Sequence, residues 1–365
     1  MALRSSAVES LAMNPDFWAG RRVLLTGHTG FKGSWLALWL RQLGAHVTGY
    51  ALEPATPSLF QIAKIGEKVD SVIGDVRDLP VLRSVIKRVQ PEVVIHMAAQ
   101  ALVRAAYVDP VGTYQTNVMG TVNVLEAVRD VPDTRAVVVV TSDKSYENRE
   151  WLWGYRESDP VGGRDPYSSS KACADLVTHA YRRSFFDNSE SVGIASARAG
   201  NVIGGGDWSV DRLVPDVMAA FADGRSVTIR NPNALRPWQH VLEPLGGYLR
   251  LAERLVEDPL HFSEVWNFGP REDDAKPVSW VVCRLAERWG NGAEWTTSSA
   301  REVHEAQYLK LDCSKARARL GWTPRLDLED ALDWVIEWYR AYGDGRDGGG
   351  LAEEQIQRYQ ALLNA

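Results

Sequence analysis

The sequence is poor in the residues that staple or metallate a small fold. Its 365 residues include three cysteines, Cys173, Cys283 and Cys313, widely spaced and odd in number. That pattern gives no disulfide framework and no metal-ligand spacing, so no metal is expected and a reducing, cytoplasmic setting is. No apolar run approaches the roughly 20 residues of a membrane helix. The stretch before Pro15 lacks the apolar core of a signal peptide and reads as a loose leader over residues 1–13. Positive charge is not in excess: the formal net charge is −6. A general nucleic-acid binder is therefore excluded, as is a membrane partner, while a local cluster of Arg and Lys remains free to meet an anionic small molecule. Internal repeats are absent.

A hydrophobic content of 45% and a charged content of 24% suit a globular protein, and the length suits two lobes sharing a cleft. From Arg22, short β-branched runs alternate with helical patterns. Strands are expected at 23–26, 46–50, 69–74, 92–98, 136–141 and 192–197, with helices at 34–43, 79–89, 114–128 and 167–186. This alternation means βαβ units: an α/β fold, a Rossmann-type doubly wound parallel sheet over residues 14–200. After Gly200 the rhythm breaks into loops, helices and isolated strands, read as a smaller, mostly helical substrate lobe over 201–342, with one strand (265–268) returning to the sheet. A Gly-rich linker, 343–350, leads to a terminal helix over 351–365. Of fourteen tryptophans, Trp35 and Trp39 have helical spacing, whereas Trp151, Trp153, Trp208 and Trp238 fall in loops.

The segment Gly27-His28-Thr29-Gly30-Phe31-Lys32-Gly33 follows a strand and opens a helix. Its glycines allow a tight turn and close approach of backbone N–H groups to a pyrophosphate, at the positive end of the helix dipole. The G-x-x-G-x-x-G spacing resembles the phosphate loop of the short-chain dehydrogenase/reductase superfamily. His28 stands where that superfamily often has Gly and reads either as a cofactor contact or as a loop residue. By the same resemblance Asp75-Val76 contacts adenine, Ala98-Ala99-Gln100 lines the cofactor, and Asn117 is the active-site asparagine. The second strand has no acid directly at its tip and no Arg there to favour a 2′-phosphate, while Glu53 could serve from a few residues further on, so NAD is the expected cofactor and NADP is not excluded.

Tyr167 and Lys171 are a Tyr-x-x-x-Lys pair, one helical turn apart on one face. An ammonium beside the phenol, with a positive nicotinamide ring, is expected to lower the phenol's pKa so that Tyr167 takes a hydroxyl proton while hydride leaves the same carbon. Ser142 completes the set. Asp143 and Lys144 follow it at the end of a strand facing the cleft.

These segments, with Thr141-Ser-Asp-Lys-Ser-Tyr-Glu-Asn148, Arg198-Ala-Gly-Asn-Val-Ile-Gly-Gly-Gly-Asp-Trp208 and Arg236-Pro-Trp-Gln-His-Val-Leu-Glu-Pro244, resemble the CDP-D-glucose 4,6-dehydratases from about Asn14 onward. Ser145 stands where Cys is expected in that family. The resemblance implies an NAD-dependent hydro-lyase that oxidises C4 of a nucleotide-sugar, eliminates water across C5 and C6, and returns hydride to C6. It gives Asp143 as the acid at the 6-hydroxyl and Lys144 as the base at C5. It puts Asn117, Asn201, Arg212, Arg236, Trp208 and Trp238 around the substrate, and implies a homodimer joined through the helices at 114–128 and 167–186. Their apolar residues (Val118, Val122, Leu125, Leu176 and Val177) serve equally as interface or as core. The alternatives are another dehydratase or epimerase of the same fold, and a non-catalytic dinucleotide sensor. An epimerase needs no acid at C6, and a sensor needs no Ser142, Tyr167 and Lys171.

Overall fold

In the computed structural model, residues 13–186, 192–298 and 307–364 are described. The leader expected at 1–13 lies outside them except for Met13, which is buried. Strands β1 (Arg22–Thr26), β2 (His46–Ala51), β3 (Asp70–Ile73), β4 (Val93–His96), β5 (Ala136–Val140) and β6 (Gly193–Ala199) alternate with helices. The lobe beyond them holds β7 (Asn201–Ile203), β8 (Val227–Ile229), β9 (Leu235–His240), β10 (Val265–Phe268), β11 (Ala275–Pro277) and β12 (Trp295–Thr297). The main sheet has the order β10-β6-β5-β4-β1-β2-β3, parallel throughout. The expected return of 265–268 to this sheet is therefore found, against β6.

The order reverses between β1 and β4, where a parallel sheet opens a crevice at the carboxyl ends of its strands. The core strands read as continuous apolar runs because helices cover both faces: Ala136–Val140 is buried at every position. Burying each such valine stabilises the fold by roughly 1.5–3 kcal/mol, so a polar residue anywhere in β5 would break it. In the second lobe the strands are not isolated. β11, β9 and β7 form one small sheet and β12 pairs with β8.

Two differences from the sequence reading have clear causes. The stretch expected as one helix over 114–128 is a run of short helices, with a widened π-type turn at Gln115–Met119 before the helix Gly120–Arg129. The linker expected at 343–350 is only four residues long, since helices span Leu328–Gly343 and Gly348–Asn364. Asp347 accepts hydrogen bonds from the Gly349 and Gly350 N–H groups (3.1 and 2.9 Å) and so starts the last helix inside the glycine triplet. Those glycines are close-packing residues: a Cβ on Gly349 would sit 2.8 Å from Ala63 Cα. The terminal helix docks on the first lobe through Trp39–Tyr359 (ring centroids 5.6 Å apart) and a 2.7 Å Lys68–Glu353 ion pair.

Candidate active site

A cavity of about 570 Å³ runs along the carboxyl ends of β1, β4, β5 and β6 and under the second lobe. Gly27 turns the chain directly after β1 with φ +79°, and a Cβ there would stand 2.8 Å from the Ala98 nitrogen. Gly33 is tighter still: a Cβ would fall 2.0 Å from the Gly27 carbonyl oxygen. The helix Phe31–Gln42 starts at Gly30 without a side-chain cap, so its first N–H groups are left for an anion at the cavity wall. Asp75, Val76, Ala98 and Ala99 line the far end. This glycine cradle fits a dinucleotide pyrophosphate.

Three residues expected at the cofactor, His28, Gln100 and Asn117, lie elsewhere, and Asn117 was expected at the substrate as well. His28 does not line the cavity. Its ring fills the space left by Gly49, where a Cβ would be 2.2 Å away, and its Nε2 lies 2.7 Å from Ser71 Oγ. Gln100 likewise turns inward: its N–H donates to Asn117 Oδ1 (2.8 Å) and its carbonyl accepts from Asn117 Nδ2 (2.9 Å). Asn117 Nδ2 also donates to Ser170 Oγ (2.8 Å), so this buried amide is spent on holding the loop after β4 against the catalytic helix. The π-type turn supplies that orientation. Glu53 is exposed and does not reach the cavity, whereas Lys32 from the phosphate loop does. The Lys32 amine donates to Tyr248 Oη (3.0 Å). Burial, with Lys171 and Arg212 nearby, pushes its pKa down to about 7.

The catalytic helix, Pro166–Phe185, begins where Asp165 caps it by accepting from Ser168 N (2.9 Å) and Pro166 fits the first turn. This cap places Tyr167 in the first turn and Lys171 in the second. Both line the cavity beside Ser142, Asp143 and Lys144. β5 delivers those three: Ser142 caps a single 3₁₀ turn, accepting from Lys144 N at 3.2 Å, and its hydroxyl donates to Asp143 Oδ1 at 3.0 Å. Asp143 is 2% exposed and its Oδ2 has no protein partner. Burial raises its pKa, against the pull of Lys144, Ser142 and Arg236. Burial of this kind favours the protonated form of a carboxyl.

The expected lowering of the Tyr167 pKa is not supplied by the chain itself. Burial raises it, with a Ser142 hydrogen bond as the main opposing influence. Lys171 donates to the Val140 carbonyl (3.2 Å), and burial lowers its own pKa to about 8.

Of the expected substrate residues, Asn201, Arg212, Arg236 and Trp238 line the cavity. Trp208 does not: its ring packs edge-on against Trp338, Tyr339 and Tyr342, an aromatic cluster that fixes the lobe. Sequence reasoning missed Arg104, on the short helix Val103–Val108, and Thr228, Arg230 and Asn231, on β8 and the turn after it, all of which face the cavity. The run Val227-Thr-Ile229 ending in Arg230-Asn231 was the available signal. Seven basic and five acidic side chains line the cavity, opposite to the global excess of acid, which suits a diphosphate.

The family model described as GDP-mannose 4,6 dehydratase matches residues 24–334. The chain belongs to that family. It is 52% identical over 354 residues to the CDP-glucose 4,6-dehydratase of Salmonella typhimurium, covering 96% of this chain and 99% of the other. Among solved structures it resembles MoeE5 in complex with UDP-glucose and NAD (25% identity, TM-score 0.73, covering 88% of this chain and 99% of that one). It also shares the fold of the UDP-glucose 4-epimerase of Thermotoga maritima (21% identity, TM-score 0.76, covering 88% and 99%).

Proposed function

We propose that this dehydratase-family protein converts CDP-D-glucose to CDP-4-dehydro-6-deoxy-D-glucose, with NAD held in the glycine cradle. The observation that carries the reading is Asp143, a buried carboxyl with one open oxygen, standing beside Tyr167 and Lys144 in one cavity. The near-full-length likeness to a CDP-glucose 4,6-dehydratase supports the choice of nucleotide. When bound, NAD supplies the acceptor for the C4 hydride and its return to C6.

The chain's own groups move the protons. Tyr167 Oη takes the proton of the 4-hydroxyl, with Ser142 Oγ holding the same oxygen and Lys171 adding positive charge. The C4 ketone acidifies the C5–H bond. Lys144 removes that proton, and Asp143 Oδ2 protonates the departing 6-hydroxyl, so water leaves and a C5=C6 bond forms. Lys144 then returns its proton to C5 as C6 takes up the hydride, which leaves the 6-deoxy sugar. Arg212 and Arg236 bind the diphosphate, Asn201 and Trp238 shape the sugar end, and the closing lobe excludes water. Asp143→Asn should bind substrate yet lose about 10²–10⁴ in product formation, and Lys144→Met should do the same. A Lys144→Met protein with unaltered turnover would reject that residue as the base.

Homodimerisation through the helical stretches 103–129 and 166–185 belongs to the same reading. Val108 (87% exposed) and Leu176 (56%) stand open there with Val111, Met119 and Phe185, an apolar set that a monomer would leave in water. Leu125 is buried core, and Val177 packs against the same core. Free cysteines suit a cytoplasmic enzyme.

A further inference from the structure

Lys171 has to stay charged in a place that discharges amines. It is 6% exposed, and its amine donates to the Val140 carbonyl, a neutral partner. His96, on β4, is buried and neutral, its pKa pushed down to about 3. Lys32, across the cavity floor, is itself a cation when protonated. The anion acting on Lys171 is Asp175, one turn further along the same helix.

Asp175 is 3% exposed and doubly held. Its Oδ1 accepts from Thr141 Oγ1 (3.0 Å) and its Oδ2 from Arg198 Nε on β6 (2.8 Å). The guanidinium of Arg198 lies 4.4 Å from the centre of the Tyr146 ring, and Tyr146 Oη donates to Asn267 on β10 (2.7 Å). The carboxylate thus stands where three parts of the site meet: the helix carrying Tyr167 and Lys171, the strand end carrying Ser142 and Asp143, and the neighbouring strands of the sheet. A buried carboxylate is costly unless fully partnered, and no step assigned above uses this one.

We propose that Asp175 is a positioning residue for this reaction: its charge, one helical turn from Lys171, favours the ammonium form of that amine, and its bond to Thr141 fixes the strand end that presents Ser142 and Asp143. Arg198 is the counter-ion of Asp175. Thr141 is the tether. The inference rests on the catalytic roles given under Proposed function, and its test begins with a readout that needs no substrate.

Competitive labelling of Lys171 with acetic anhydride across pH, read by peptide mass spectrometry, reports where its amine loses the proton. In Asp175→Asn that point should move to lower pH by about one unit, the residue of a close charge interaction partly cancelled by Arg198. In Asp175→Glu it should stay within about 0.3 unit of the unsubstituted protein. With CDP-glucose, the alkaline limb of kcat should move down in parallel in Asp175→Asn and be restored in Asp175→Glu, with KM changed less than about twofold. Thr141→Val keeps the charge and removes the tether: kcat should fall about fivefold with the limb in place. A folded Asp175→Asn protein with unshifted Lys171 labelling overturns the electrostatic role. Should Asp175→Asn not fold, a Thr141→Val protein with unaltered kcat overturns the tether. If the unsubstituted protein does not turn over CDP-glucose, the functional reading fails, while the labelling result still decides the charge pairing.

Discussion

A methyl group added at Gly33 would land 2.0 Å from the Gly27 carbonyl oxygen and 2.8 Å from His28 Cα, backbone atoms that cannot rotate away. Contacts below 3.0 Å are essentially never tolerated, so the loop and the helix start must separate by roughly 1 Å. That displacement draws the N–H groups of the loop off a bound pyrophosphate. Losing two hydrogen bonds to a charged oxygen, at roughly 1.5–3 kcal/mol each, weakens NAD binding by about 3–6 kcal/mol. The Kd should therefore rise by about 10²- to 10⁴-fold. Isothermal titration of Gly33→Ala with NAD measures this directly. Gly343→Ala is the control, because a Cβ there meets nothing within 4 Å. Circular dichroism and Tm establish that both proteins are folded. A folded Gly33→Ala protein that binds NAD within about threefold of the unsubstituted Kd would refute the cradle.

Tyr167→Phe removes the hydroxyl that takes the C4 proton, and product formation should fall by about 10²- to 10⁴-fold with substrate binding retained, as read by titration calorimetry. Acid should weaken the fold through His96 and His240, both buried, neutral and with pKa pushed from 6.5 to about 3. The unfolded chain takes up these protons near pH 6.5 and the native state only near 3. The stability they contribute is therefore complete above pH 6.5 and is lost as pH falls toward 3, by up to about 1.4 kcal/mol per pH unit for each. Urea midpoints at pH 7.5 and 5.5 check this, and equal midpoints would count against it. Val108→Glu combined with Leu176→Glu should give a monomer in sedimentation velocity; an unchanged assembly would place the interface elsewhere.

The sheet was legible because its strands are apolar runs of defined length, such as Ala136–Val140, set between helical patterns. The catalytic pair was legible because Asp165-Pro166 fixes the helix start and the spacing of Tyr167 and Lys171 fixes the face. Other features depended on neighbours distant in sequence. His28 reads as a cofactor contact until Gly49, twenty-one residues on, is seen to leave room for its ring. Gly348 to Gly350 look like a linker until Ile62 and Ala63 are seen against them. Trp208 reads as a pocket wall until the helix Leu328–Gly343 supplies its aromatic partners. Lys32 reads as a phosphate ligand on a surface loop, and only the fold carries its amine down to Tyr248.

The most direct test incubates the protein and NAD with CDP-glucose, and in parallel with the dTDP-, UDP- and GDP-glucose analogues, and follows product by mass spectrometry and by the alkali-induced absorbance of a 4-keto-6-deoxy sugar. The account predicts a product one water lighter than CDP-glucose, formed faster than from any other donor and absent with Asp143→Asn. A product of unchanged mass epimerised at C4, or dehydration undiminished in Asp143→Asn, would contradict it.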